Sequence, residues 1–255
     1  MTKLWDLQNL SITSKSSQKK TGCVLIHGFT GTPWALKSLG DRLVELGVAV
    51  QIPLLPGHGT RPEDLNHVVW TDWIGTVRES IRSLKTSCDE IFLIGLSMGG
   101  TIALLLAQES EYGGIVCLST PIKLKPWLQP ILPLIRPFLK EWKKKRDPAL
   151  NGQINETGYD RYTTFSLIEF FKILRVCRRG LHRVTCPVLI VHAKDDRTVP
   201  AFNAKMIHEN IASMDKEINV LENPAHMITR GKNQPDVERK VLEFIQKHSA
   251  LMPKQ

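Results

Sequence analysis

Residues 95–99 read Gly-Leu-Ser-Met-Gly, a G-x-S-x-G pattern between the apolar run Ile91-Phe-Leu-Ile94 and a helical stretch from Met98 to Gln108. A serine on a sharp strand-to-helix turn occupies a strained backbone conformation, so the residues two positions away on either side must be small. Gly95 and Gly99 meet that demand, and Gly100 gives the helix room to pack closely. Ser97 would then stand at a strand end as a nucleophile. The chemistry it offers is acyl transfer through a covalent intermediate.

A serine hydroxyl is a weak nucleophile until a base takes its proton. After a turn of this kind the partners follow in the chain order acid, then histidine. Of the eight histidines, His208 falls inside a helical stretch and His248 in the C-terminal tail. His226 lies in the loop Glu222-Asn-Pro-Ala-His-Met227, after the last strand-like run and before the last helical one, where its ring is free to reach over a sheet. The acid is expected where Val188-Leu-Ile-Val191 runs into His192-Ala-Lys-Asp-Asp-Arg-Thr-Val-Pro200. Asp196 stands at the turn into the next helix and is the preferred candidate, with Asp195 as the alternative. Such a carboxylate orients the imidazole and stabilises its cation.

The oxyanion of an acyl transfer needs preorganised donors. One is the backbone N–H of Met98, directly after the nucleophile. The other is expected from His27-Gly-Phe-Thr-Gly-Thr-Pro33, where Phe29 has glycine neighbours nearby that let its amide turn inward. Phe29 and Met98 are therefore the expected oxyanion-hole and substrate-contacting residues, and the Phe29 ring would wall the acyl pocket. Nothing in this chemistry requires a cofactor. No H-E-x-x-H or zinc-type spacing occurs, so no metal site is expected.

These residues need a scaffold that gathers strand ends. Val24-Leu-Ile-His27, Val48 to Leu55, Ile91 to Ile94, Ile115 to Leu118, Val188 to Val191 and Ile218-Asn-Val-Leu221 read as strands. Most are continuous apolar runs, as in a parallel sheet buried on both faces. Helices are expected over Pro33 to Leu46, Asp72 to Lys85, Met98 to Gln108, Pro200 to Ile211 and Asp236 to Lys247. Strands alternating with helices imply right-handed crossovers and a doubly wound, mostly parallel α/β sheet. From Pro121 to Val184 the rhythm stops. This segment has no convincing strand, a helical patch over Leu167 to Val176, and five prolines between Pro121 and Pro137. It is too apolar for a free linker and reads as an insertion.

Composition bounds what else the chain could be. Its 255 residues, 42% hydrophobic and 23% charged, suit one large globular domain. Residues Met1 to Lys20 hold no apolar run long enough for a signal peptide. The greasiest stretch, Trp127 to Leu139, is broken by three prolines and Arg136, and is too short to cross a bilayer. Five cysteines, none in C-x-x-C, read as free buried thiols. A cytoplasmic protein is expected. The net charge of +9 gathers in Lys140-Glu-Trp-Lys-Lys-Lys-Arg146 and in Arg175 to Arg183. No nucleic-acid module accompanies it, so no nucleic-acid partner is expected.

Taken together, His27-Gly-Phe-Thr-Gly-Thr-Pro33, Leu55-Pro-Gly-His-Gly59, Gly95-Leu-Ser-Met-Gly-Gly100, and Asp196 and His226 in their loops resemble the α/β-hydrolase superfamily, most closely its bacterial carboxylesterase and monoacylglycerol lipase group. The resemblance implies a core of residues 1–120 and 185–255, with residues 121–184 as a small helical cap over the site. It implies hydrolysis of short- to medium-chain carboxylic esters, monoacylglycerols among them, and transient contact of the basic cap with an anionic membrane surface. His58 is expected to be structural. Serine in place of aspartate at the nucleophile disfavours dehalogenase and epoxide hydrolase chemistry. Thioesterase, C–C hydrolase and acyltransferase reactions use the same residues, and a non-catalytic sensor on this fold is the remaining alternative.

Overall fold

The computed structural model describes residues 10–12, 21–125, 127–144, 158–222 and 226–249. Its centre is a seven-stranded sheet in the order β1-β3-β2-β4-β5-β8-β9. The strands are β1 (Leu10–Ile12), β2 (Thr21–Ile26), β3 (Ala49–Ile52), β4 (Glu90–Leu96), β5 (Gly114–Leu118), β8 (Val188–Ala193) and β9 (Lys216–Leu221). Six run parallel, and only β1 is antiparallel, pairing Leu10 with Ile52. β1 falls in the polar N-terminal stretch, where no strand is legible in the sequence. The rest of that stretch lies outside the described residues.

Alternation along each strand divides the apolar side chains between two cores. Val24, Ile26, Leu93, Ile115, Cys117 and Ile190 face α2 (Trp70–Lys85), α3 (Met98–Ala107), α5 (Thr164–Arg179) and α6 (Phe202–Asn210). Cys23, Leu25, Val50, Phe92, Ile94, Val116 and Val191 face α1 (Lys37–Glu45) and α7 (Gln234–His248). Each such side chain, fully buried, contributes roughly 1.5–3 kcal/mol, before conformational entropy is set against it. Both faces are covered, which is why the strands read as continuous apolar runs. None of the five cysteines forms a disulfide, and Cys23, Cys117, Cys177 and Cys186 are buried.

The chain passes from β2 out to β3 and then back across β2 to β4, so the connections leaving β2 and β4 diverge between adjacent strands. In open α/β sheets that switch point opens a crevice at the strands' carboxyl ends. Here the 27–33 loop and Ser97 meet.

The Pro33-to-Leu46 stretch divides into a 3-10 turn, Pro33–Leu36, and α1. Between β5 and β8 the expectation of a segment without strands is corrected. Alongside the short α4 (Leu132–Ile135) and α5, residues Glu141–Lys143 (β6) and Arg161–Thr163 (β7) form an antiparallel pair. Three residues per strand are too few to display a period of two. The helical patch read over Leu167 to Val176 is the middle of α5, whose first turn Thr163 caps by accepting the Ser166 N–H at 3.2 Å. Pro126 and residues 145–157, including Lys145 and Arg146 of the basic run, lie outside the described residues. Among the described residues no helix is long and apolar enough to cross a membrane.

Candidate active site

Ser97 ends β4 and caps α3 with φ 53° and ψ −118°, the positive-φ turn that its glycine neighbours permit. A Cβ on Gly95 would lie 2.2 Å from the Gly100 nitrogen, and one on Gly99 would lie 2.0 Å from the Ile26 oxygen. No side chain fits at either place. The Ser97 N–H donates to the Leu118 oxygen at 2.8 Å, which ties the turn to the end of β5.

Three side chains meet above this turn. The His226 Nε2 stands 3.1 Å from the Ser97 Oγ, and its Nδ1 stands 2.7 Å from the Asp196 Oδ2. The other Asp196 oxygen accepts the N–H groups of Thr198 and Val199 at 2.8 and 2.9 Å. Burial alone would push the Asp196 carboxyl up. The His226 hydrogen bond, its charge and the two amides outweigh that and hold the carboxyl below the usual carboxylate range. With Asp196 ionised, the His226 Nδ1 must be the donor, which leaves Nε2 to accept the Ser97 hydroxyl proton. Asp195, one residue away, is exposed. Residues 223–225 of the loop that carries His226 lie outside the described residues.

A second histidine supports Asp196. The buried His192, four residues before Asp196, has its Nε2 2.9 Å from the Val199 oxygen, so the Asp196–Val199 turn is pinned from within the sheet. Burial lowers its pKa, so the ring is held neutral.

The two expected oxyanion donors lie close to Ser97. Met98 begins α3, so its N–H has no partner within the helix. At Phe29 the direction of the amide follows from its neighbour. The Gly28 oxygen accepts from the Gly31 N–H and from the His27 Nδ1, both at 2.9 Å. In a planar trans peptide the Phe29 N–H points the opposite way. A Cβ on Gly28 would lie 3.3 Å from the Ser97 Cβ, so this peptide passes directly beside Ser97.

His27 and His58 hold that loop in place. The Leu55 N–H donates to the His27 Nε2 at 3.1 Å, and the Thr30 N–H donates to the His58 Nε2 at 2.9 Å. Burial lowers the His27 pKa to about 4, and burial with the neighbouring His27 holds that of His58 well below the ordinary histidine value. Both rings are therefore neutral and can accept those amides. His58 acts on the loop rather than at Ser97.

The segment between β5 and β8 closes over the same loop. The Phe29 ring stacks on Phe170 of α5 at 4.9 Å and on Tyr162 of β7 at 5.5 Å. Gly31 bridges Gly158, and the Tyr159 N–H donates to the Thr30 oxygen at 2.9 Å. Lys144, directly after β6, donates from Nζ to the Thr30 Oγ1. Sequence reasoning missed Lys144, Tyr159 and Tyr162. The only trace of any of them is the lysine run, which reads equally as a solvated face. Ser97 keeps 8% of its surface accessible, so the hydroxyl lies largely buried beneath its neighbours.

Comparison with known proteins gives a consistent setting. Residues 17–233 match the family model Hydrolase_4, described as serine aminopeptidase, S33. A thermostable monoacylglycerol lipase from Bacillus sp. (strain H-257) is 34% identical, over 89% of this chain and 91% of its own length. A carboxylesterase from Bacillus subtilis (strain 168) is 28% identical, over 88% of this chain and 92% of its own. A solved structure from work on the metagenome-derived lipolytic enzymes LipS and LipT superposes with a TM-score of 0.88 at 28% identity, covering 95% of this chain and 98% of that one.

Proposed function

The chain belongs to the Hydrolase_4 (serine aminopeptidase, S33) family and is a carboxylic ester hydrolase of the α/β-hydrolase fold, and we propose that it cleaves short- to medium-chain acyl esters, monoacylglycerols among them, with Ser97, His226 and Asp196 as its catalytic triad. The observation that carries the reading is the His226 ring, within hydrogen-bond distance of both the Ser97 hydroxyl and a buried, ionised carboxylate.

In this reading Ser97 attacks the ester carbonyl while His226 takes its proton, and the Phe29 and Met98 amides receive the oxyanion. The imidazolium, steadied by Asp196, protonates the departing alcohol. Water activated by the same ring then attacks the acyl-enzyme, and the carboxylic acid leaves. Residues 121–184 act as the cap. The Phe29, Tyr162 and Phe170 rings give the acyl chain an apolar wall, and the burial of Ser97 favours a single chain over a triglyceride.

The outer surface of the cap supports transient contact with an anionic membrane. Trp127, Leu134 and Phe138 are 64%, 73% and 90% exposed. Arg136 and Lys140 are exposed in the same stretch, and residues 121–140 contain no Asp or Glu. Aminopeptidase activity, which the family's description names, is disfavoured by Lys144. An ammonium beside the oxyanion loop repels the α-ammonium of a peptide substrate.

The test is hydrolysis of p-nitrophenyl esters from C2 to C16, with 1-monoacylglycerol and an aminoacyl p-nitroanilide alongside and Ser97→Ala as control. Turnover that peaks at medium chains, includes the monoacylglycerol, spares the anilide and vanishes in the variant is expected. Best turnover on long chains would overturn the chain-length assignment, and activity surviving in Ser97→Ala would overturn the nucleophile.

A further inference from the structure

Lys144 is a cation that the proposed reaction leaves unused, and it touches the loop on which that reaction depends. Pairing of Trp142 with Tyr162 and Lys143 with Arg161 delivers it to this place, and its own N–H donates to the Asp160 oxygen at 2.9 Å. From there Nζ reaches the Thr30 Oγ1 and lies 5.0 Å from the centre of the Tyr162 ring. Thr30 follows Phe29 and has a φ of 61°, a conformation unfavourable for a β-branched residue. Its N–H is taken by His58, its oxygen by Tyr159, and its hydroxyl donates to the Phe29 oxygen at 2.6 Å. A hydroxyl already donating to Phe29 meets the ammonium with its lone pairs.

We infer that Lys144 is a positioning residue for the oxyanion loop: it locks the Phe29–Thr30 peptide through the Thr30 hydroxyl and adds positive potential where negative charge develops during acyl transfer. The inference rests on the proposed roles of Ser97 and of the Phe29 and Met98 amides. Low-dielectric surroundings make such a fixed charge effective over several ångströms.

The groups facing Lys144 bear this out in their charge. Thr30 comes from the loop after β2, neutral His58 from the loop after β3, and the Tyr162 ring from β7. No carboxylate among the described residues forms an ion pair with Nζ. Burial lowers the Lys144 pKa to about 8, with the nearby exposed Asp160 opposing the shift. The ammonium is therefore charged at pH 7 and lost above about pH 8.

The experiment compares wild type, Lys144→Met and Lys144→Arg on an uncharged p-nitrophenyl ester from pH 6 to pH 10, blank-corrected. Labelling of Ser97 by a fluorophosphonate and thermal unfolding run in parallel. Wild-type kcat is expected to fall as pH rises through about 8. Lys144→Met is expected to lose about tenfold in kcat at pH 7, with KM unchanged within about twofold and the alkaline fall absent. Lys144→Arg keeps its charge and is expected to hold most of the neutral-pH activity, without the fall at pH 8. A wild-type alkaline fall that persists in Lys144→Met overturns the inference. So does equal loss in Met and Arg, or a change in KM alone. If Lys144→Met does not fold, the Arg profile decides. Failure of the hydrolase reading itself looks different: wild type would neither turn over the ester nor take the label.

Discussion

The Asp196 carboxylate and the His226 imidazole stand 2.7 Å apart across 30 residues of chain, and the oxygen not facing the ring is held by two backbone amides. The carboxylate is thus fixed before it meets the histidine. Its neighbour Asp195, of identical chemistry, points to solvent.

Two amide substitutions should therefore separate sharply. Asp196→Asn keeps the shape but removes the charge and favours the wrong imidazole tautomer. Its kcat is expected to drop by about 10⁴-fold, as in other enzymes with this arrangement. Asp195→Asn should stay within about twofold of wild type, since exposed charges away from the reacting groups act weakly. Steady-state kinetics on one p-nitrophenyl ester checks both, and a large loss in Asp195→Asn alone would reassign the acid.

The turn around Ser97 should tolerate no added methyl. In Gly99→Ala the new Cβ would lie 2.0 Å from the backbone oxygen of Ile26, at the end of a central strand. Neither partner is a flexible side-chain end. A loss of roughly 3 kcal/mol or more is expected from urea denaturation, with activity abolished in whatever folds. Gly75→Ala, where the added Cβ meets nothing within 4 Å, is the control. It lies within α2 and should be stabilised by up to about 1 kcal/mol.

Stability should fall with acid through two buried histidines. His27 is lowered to about 4 and His58 well below the ordinary histidine value, so the unfolded chain binds protons at pH values where the folded one does not. Their contribution is complete above about pH 6.5 and is lost as pH falls toward about 4, on the order of 3 kcal/mol for His27 alone. Urea midpoints at pH 7, 6, 5 and 4.5 should decline in wild type. In His58→Gln the decline should be shallower, with a lower starting value because the Thr30 amide loses its acceptor or keeps a poorer one.

The proposed contact with membranes should depend on the exposed side chains of the cap. Phe138→Ser with Leu134→Ser is expected to weaken sedimentation with vesicles containing anionic lipid by severalfold. It should leave hydrolysis of a soluble short-chain ester unchanged. Equal binding by wild type and variant would remove this patch from the contact.

Which parts of the molecule were legible in the sequence follows from how each part is encoded. Ser97 carries its structural demand next to it, as glycines at 95 and 99, and the apolar stretches on either side of it become β4 and the fully buried α3. Asp196 and His226 have no local signature. They could be selected because each closes a strand already visible, β8 and β9. The Asp195 alternative was a matter of burial, which two adjacent aspartates do not encode. β6 and β7 were hidden because three-residue strands show no pattern, and because Trp142 and Tyr162 find each other across a long stretch of chain. Lys144 inherits that invisibility. Its role depends on register, and a lysine in a basic run looks the same facing water or facing Thr30.

The bridge between Gly31 and Gly158 bears on how the two parts of this protein can be exchanged. At Gly158 φ is 145°, and a Cβ there would lie 2.0 Å from the Thr30 oxygen, so the backbones touch with nothing between them. A cap grafted in from a relative to change acyl preference would have to reproduce this contact and a cation at the position of Lys144. Otherwise the graft would alter the turnover of every substrate while appearing to alter only which substrate is chosen. Under the roles proposed for the cap and for Lys144, acyl preference and catalytic rate would be inherited together, because one strip of backbone would belong to both.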